Sequence, residues 1–285
     1  GGGIVASAYG WRAAFFFAAV PGLLLAVAAF TLREPLRGAA ERMGPKLHQT
    51  RQATLQGFRE LARIRTLRAT ILARTVLFFV LASAAYWLPT VLSRRFGMSV
   101  SEAGLLSGAV LVLGALAGTL LGGWAADRGR HRRVAERAPL LVGIAGFVGG
   151  AVLMPVALLA PLQAGPVPIF VPAFFLTVVC VYLYAGPYDA ITQNVVSPGL
   201  RASAMTLTLL VAHLFGDSYA PATVGLLSDR LGSLTLALLV TSVPLLLLAA
   251  ALAATGLASI GRDGAAMEER WAGEALEREA GWPPT

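Results

Sequence analysis

The chain has 285 residues, 13% of them charged and 56% hydrophobic, with a mean hydropathy of +0.70, whereas soluble domains average about 25% charged side chains. Water is thereby excluded as the solvent for most of the chain, and a bilayer is the economical alternative. The net charge of +8 does not signal a nucleic-acid binder, because the cations stand between long apolar runs, and the only cysteine, Cys180, lies inside such a run as a small core residue, which excludes a disulfide framework or thiolate metal site.

Seven runs reach the roughly 20 apolar residues that a helix needs to cross a hydrocarbon core. Gly1 to Ala8 reads as the tail of an apolar helix and not as a signal peptide, so the chain is expected to begin in mid-protein. The first span, Trp11 to Leu32, stops at Arg33-Glu34-Pro35. A basic stretch follows, with Arg33, Arg37, Arg42, Lys46, Arg51, Arg59, Arg63, Arg65 and Arg68. Within it Leu55, Phe58, Leu61 and Ala62 share a helical face, so the reading is a short helix on the membrane surface with its arginines among lipid phosphates, or else a solvated linker.

The second span, Ile71 to Ser93, carries Arg74 near its basic end, where a long side chain snorkels toward phosphate, and Tyr86 and Trp87, as cavity wall or aromatic belt. The third, Ala103 to Ala126, spaces Gly114, Gly118 and Gly122 four apart, with Gly108 nearby. The fourth, Pro139 to Leu162, repeats the device with Gly146 and Gly150. Helices in lipid gain little from hydrophobicity alone, so these bare faces predict close helix contacts.

The fifth span, Ile169 to Val196, ends in a polar group of Tyr182, Tyr184, Tyr188, Asp189, Gln193 and Asn194, of which Asp189 and Gln193 share a face. They line an inner vestibule or sit at the interface. The sixth, Ala204 to Leu227, contains His213 and Asp217, four apart and able to pair; the pair binds a proton, receives a polar headgroup or neutralises itself. The seventh is Leu234 to Ala258, and the Glu-rich tail from Met267 to Ala280 reads as a frayed helix with no assigned function. Pro21, Pro89, Pro187, Pro221 and Pro244 fall inside or near the ends of spans, where each removes a helical hydrogen bond.

Arginine placement orients the spans. The stretch before the second, the turn after the third (Arg128, Arg130, Arg132, Arg133, Arg137) and the tail (Arg262, Arg270, Arg278) share one side, against Arg12, Arg94, Arg95 and Arg230 opposite. Short cytoplasmic loops retain Lys and Arg, so the long loop and C-terminus are expected in the cytoplasm, at the inner membrane of a bacterium. Of fifteen acids, only Asp189 and Asp217 lie well within spans, and a charge there is a functional candidate by default. No phosphate loop or metal-spaced histidine pair occurs, and His48 and His131 stand alone in basic loops. Enzymatic activity, cofactor, metal and nucleic acid are accordingly not expected.

Gly122-Gly123-Trp124-Ala125-Ala126-Asp127-Arg128-Gly129-Arg130-His131-Arg132-Arg133 resembles the loop signature of the major facilitator superfamily, with Arg130 where a glycine is usual. Tyr9-Gly10-Trp11-Arg12-Ala13-Ala14-Phe15-Phe16 with Pro21-Gly22 resembles that family's sixth helix. Gly186-Pro187 with Gln193, Leu200-Arg201-Ala202, His213 to Asp217 and Val224-Gly225-Leu226-Leu227-Ser228-Asp229 resemble its spinster-like branch.

The resemblance implies an all-α polytopic fold of two six-helix bundles around a cavity, working by alternating access. This chain would hold part of it: the end of helix five and helix six (1–32), a cytoplasmic loop with an amphipathic helix (33–70), the second six-helix bundle (71–258) and a cytoplasmic tail (259–285). His213 and Asp217 would face the cavity, with Asp189, Gln193, Tyr182 and Arg74 along the substrate or proton path. Gly123, Asp127, Arg128 and Arg130 would form a cytoplasmic gate. The implied function is transport of a small organic, amphiphilic or lipid-like solute such as a lysolipid or sphingoid phosphate, with protons, membrane lipids and an N-terminal bundle as partners. A drug or sugar carrier of the same superfamily is the near alternative, and a scramblase or non-transporting scaffold the distant one.

Overall fold

The computed structural model describes residues 5, 8–32, 51–130, 136–161, 163–164 and 167–280. Arg33, Arg37, Arg42, Lys46 and His48, and His131, Arg132 and Arg133 of the basic turn, lie outside these, as do the side chains of Arg51, Leu55, Arg130 and Arg278.

Among the described residues seven helical stretches are long and apolar enough to cross a membrane. The first, α1 (Trp11–Ala29), leaves almost every side chain exposed, Phe15, Phe16 and Phe17 included. A short amphipathic helix, α2 (Arg51–Arg63), leads into α3 (Arg65–Phe96). At about 1.5 Å per residue the 32 residues of α3 extend about 48 Å, well beyond a hydrocarbon core of roughly 30 Å. The helix therefore starts at Arg65, inside the stretch expected to be loop, and Leu67, Ala69 and Thr70 are already buried. It stops where Gly97 takes a left-handed φ of 67° that other residues resist.

Then come α4 (Val100–Arg130), α5 (Ala138–Leu159), a two-residue hairpin in which β1 (Gln163–Ala164) pairs antiparallel with β2 (Val167–Pro168), and α6 (Phe170–Tyr182) with α7 (Ala185–Val195). After a 3₁₀ turn at Pro198–Leu200 the chain runs through α8 (Arg201–Ala212), a π-helical segment (His213–Asp217) and α9 (Ala220–Leu231). It ends with α10 (Leu234–Ala254), a 3₁₀ turn (Thr255–Ala258) and α11 (Ile260–Ala280).

Six spans close into one bundle. The helix α3 packs against α4, α10 and the α8–α9 span, while α5 lies between α10 and α6, and α4 lies against α6 and α7. Leu77, Phe147, Leu158, Tyr188 and Leu246 are fully buried between them. The glycine ladders meet α6 from two sides. A Cβ at Gly114 would stand 2.7 Å from Val178, one at Gly118 2.8 Å from the Tyr182 Cβ, and one at Gly122 against the Leu183 backbone. From α5, Gly146 faces the Cys180 carbonyl, and a Cβ at Gly150 would stand 2.6 Å from Val181. Gly108 and Gly123 have open space where a Cβ would go.

Two spans expected as continuous helices are interrupted, each next to a proline. The fifth turns at Leu183–Tyr184, because Pro187 has no N–H to offer the Leu183 carbonyl four residues earlier. The sixth widens at His213–Asp217, four residues before Pro221 would need the Asp217 carbonyl; Ser218 N donates instead to the His213 carbonyl five residues back, at 3.2 Å. Pro21, Pro89, Pro155 and Pro244 lie inside uninterrupted helices.

The tail is a continuous helix where fraying was expected. Asp263 Oδ2 accepts from Thr66 N at 2.8 Å, Thr66 Oγ1 and Ser259 Oγ are 2.9 Å apart, and Arg270 pairs with Glu60 at 2.6 Å. Local sequence could not show these contacts, because α3 has no side-chain cap of its own and takes one from a residue 197 positions away.

Candidate functional site

The helix α3 carries the polar interior. Arg74, its tenth residue, lies about 14 Å along the axis from the basic end. Its guanidinium does not snorkel toward phosphate. The side chain is 7% exposed and turns to Asp189 on α7, Nη2 to Oδ1 at 2.7 Å. It is buried between the helices and not turned to the surroundings of the bundle. Asp189 lies six residues before the end of α7, about 9 Å from the same side, so the two charges meet at similar depth.

Around this pair stand rings. Arg74 lies over Tyr184 at 5.4 Å, Tyr184 meets Tyr188 edge-on at 5.5 Å, and Phe147 closes the back at 5.7 Å from Tyr184. Tyr188 is packed against Gly143, where any side chain would collide with its ring. Arg74 Nε and the Tyr188 hydroxyl are buried without a hydrogen-bond partner among the described residues. The Asp189 side chain, by contrast, is 48% exposed. The arrangement is a sheltered cation whose only carboxylate partner among the described residues can be reached from outside the bundle.

The next residue of α3 serves the other pair. Thr75 Oγ1 donates back to the Ile71 carbonyl, and the Thr75 carbonyl is pressed by Gly216 of the π segment. Phe78 meets the His213 ring edge-on at 5.1 Å. His213 Nδ1 and Asp217 Oδ2 are 2.6 Å apart, with side chains 58% and 27% exposed. The His213 carbonyl also accepts from Ser218 Oγ, and the Phe215 carbonyl from Tyr219 OH, so hydroxyls serve carbonyls of the widened turn. Trp87 Nε1 donates to the Pro221 carbonyl at 2.9 Å, tying α9 to α3.

The Arg74–Asp189 ion pair and the His213–Asp217 contact thus flank one stretch of α3, with Arg74 turned to α7 and Thr75 and Phe78 to the π segment. Gln193 is exposed one turn beyond Asp189 with Asn194 beside it, and Tyr182, across the helix break, is half-buried against Gly118. The gate residues are not brought to either pair. Asp127 and Arg128 are exposed at the end of α4, Arg128 over its own Trp124 ring at 4.5 Å. Gly123 instead adjoins Gly186 of α7. Sequence reading missed the joining of Arg74 to Asp189, for which the available signal was one cation and one acid at similar distances from the basic ends of their spans. It had no signal for the roles of Thr75, Phe78 and Gly216. Among the described residues no three His, Cys, Asp or Glu side chains cluster to hold a metal.

A profile described as Major Facilitator Superfamily matches residues 1–221. The chain belongs to the Major Facilitator Superfamily. It is spinster-like within it. It is 27% identical over 239 residues to the probable sphingolipid transporter spinster homolog 2 of Arabidopsis thaliana, covering 80% of this chain and 48% of that one. It is 31% identical over 214 residues to protein spinster homolog 1 of Homo sapiens, covering 70% and 39%. A bacterial homolog of the human lysosomal transporter Spinster, solved inward-facing and unoccupied, superposes with a TM-score of 0.63 at 23% identity, over 90% of this chain and 60% of that one. The chain spans about half the length or less of these curated relatives. Its six-span bundle and preceding helix are thus part of a major facilitator fold.

Proposed function

We propose that this chain forms one wall of the central cavity of an alternating-access transporter for an amphiphilic, lipid-like organic solute. The observation that carries the reading is the Arg74–Asp189 pair, a nearly buried guanidinium held by a half-exposed carboxylate inside the spans. Buried intramembrane charge is retained where it handles an ion or substrate. An anionic headgroup approaching from the exposed side competes with Asp189 for Arg74. A headgroup that displaces Asp189 takes over the guanidinium, and the tyrosine and phenylalanine rings accommodate the apolar body. The His213–Asp217 pair, on the other side of α3, is a proton-binding element, and the widened turn it occupies is a place for the span to bend. The arginine asymmetry supports a cytoplasmic position for the basic end. The spinster relatives, one of them named for sphingolipid transport, support an amphiphile over a sugar.

The test is flux of a fluorescent lysophospholipid into liposomes containing the full-length protein. Saturable uptake, competed by unlabelled lysolipid and abolished in Asp189→Asn and Asp217→Asn variants that remain monodisperse, is expected. Flux linear with gradient would indicate a scramblase or pore, and competition by a sugar instead of a lysolipid would move the protein to a different carrier class. No flux at all would leave a scaffold.

A further inference from the structure

A groove of about 520 Å³ opens at the basic end, away from the Arg74–Asp189 and His213–Asp217 pairs, where α2, the end of α7 and α11 converge. Ile64, Leu200 and Met267 contribute apolar lining, and Arg59, Arg63 and Arg270 are among its polar residues. Two carboxylates also line it, and both are engaged: Glu60 with Arg270 at 2.6 Å, and Asp263 with the Thr66 amide at 2.8 Å. Arg59 and Arg63 are exposed and have no ion-pair partner among the described residues. They are four apart on α2, a spacing at which like charges repel.

The level of the groove is set by its neighbours. Ile64, on its wall, immediately precedes the first residue of the membrane-spanning α3, and Val195 is the last residue of α7. At the ends of membrane-crossing helices, where lipid phosphates are expected, an apolar surface beside arginines unpaired among the described residues meets both acyl chain and headgroup. Gly57 and Leu61 hold α2 on the bundle, Gly57 close against Leu200, while Phe58 and Ala62, expected on the same apolar face, are exposed. The apolar side of α2 is thus shared between the bundle and its surroundings.

We infer that this groove is a binding site for an anionic phospholipid, its phosphate between Arg59 and Arg63 and its acyl region along Ile64, Leu200 and Met267. The lipid offsets the repulsion between the two arginines and fastens α2 and α11 to the bundle. The site is separate from the transport path and does not depend on the transport reading.

The experiment is native mass spectrometry of the full chain released from detergent containing equal phosphatidylglycerol and phosphatidylcholine. The wild type is expected to retain phosphatidylglycerol preferentially. At about a fivefold effect for each interfacial arginine, Arg59→Gln with Arg63→Gln should lower that preference by about 25-fold. Ala266→Trp, an exposed position on the groove wall, should lower it by blocking the space with every charge kept. Arg94→Gln with Arg230→Gln, at the opposite end, should leave it unchanged. Equal retention by the double variant and the wild type overturns the proposal, as does an equal fall in the opposite-end control, which would mean unspecific surface attraction. Should the double variant not fold, Ala266→Trp decides alone, and undiminished retention there overturns it. Displacement of the lipid by millimolar inorganic phosphate would make this a site for free phosphate and overturn the lipid assignment.

Discussion

Removing one partner of the Arg74–Asp189 pair should have unequal consequences, because the partners are unequally buried. In Asp189→Leu the guanidinium, 7% exposed, is left in the bundle with its Nε already unpartnered. Stranding a buried charge costs about 3–5 kcal/mol. In Arg74→Met the charge left behind is a carboxylate whose side chain is 48% exposed, and the thioether fills much of the vacated volume, so about 1 kcal/mol is expected. The double variant Arg74→Met with Asp189→Leu removes both charges and should return to within about 1 kcal/mol of the wild type, since replacing a buried pair by apolar groups is often neutral. The chain supplies its own probe. Cys180 is the only thiol, partly buried on α6 with its Sγ 3.3 Å from where a Gly149 Cβ would stand, so labelling by a thiol-reactive dye during denaturation in dodecyl maltoside reports opening of the bundle. A harmless Asp189→Leu beside a severe Arg74→Met would refute the reasoning, as it would mean that Asp189 and not Arg74 is the sheltered charge.

Gly118→Leu should prevent close seating of α4 on α6, because the new side chain meets the Val179 carbonyl as well as Tyr182; overpacking costs about 1–3 kcal/mol or more, and a broadened size-exclusion profile is expected. Gly123→Ala, on the same helix but with open space at its Cβ, should be tolerated in that assay. Asp263→Ala should cost about 1 kcal/mol by uncapping α3, visible as faster amide exchange at Thr66 with little change at the opposite end of the bundle. Gly216→Ala should straighten or displace the π segment, since a methyl group there meets the Thr75 carbonyl, and the change should appear as altered accessibility of His213 to diethyl pyrocarbonate.

Much of the architecture can be read along the chain. Each span announces itself by roughly 20 apolar residues and polar punctuation, and the observed spans overlap the predicted ones throughout. Their ends are less legible. The apolar run of α3 stops at Ile71 and Ser93, but its backbone hydrogen bonds continue past the oily segment, to Arg65 at one end and Phe96 at the other. The two interruptions were half visible. Pro187 and Pro221 announced lost hydrogen bonds, while the form each break takes, a turn in one span and a π segment in the other, depends on how α4 and α3 press against them. His213–Asp217 lies within one helical turn and so was visible as a pair; Arg74–Asp189 joins residues 115 positions apart and was not.

Composition and periodicity are properties of the chain taken one turn at a time, and they suffice to establish the lipid environment, the helical spans, the bare glycine faces and the resemblance to a transporter family. Which face of α3 turns to α7, how deep Arg74 comes to lie, and where α11 finds the first turn of α3 depend on rotations and offsets between helices that share no local sequence. Those choices are made by packing the six spans together, where glycine allows backbones to touch and a buried cation must have its carboxylate within reach.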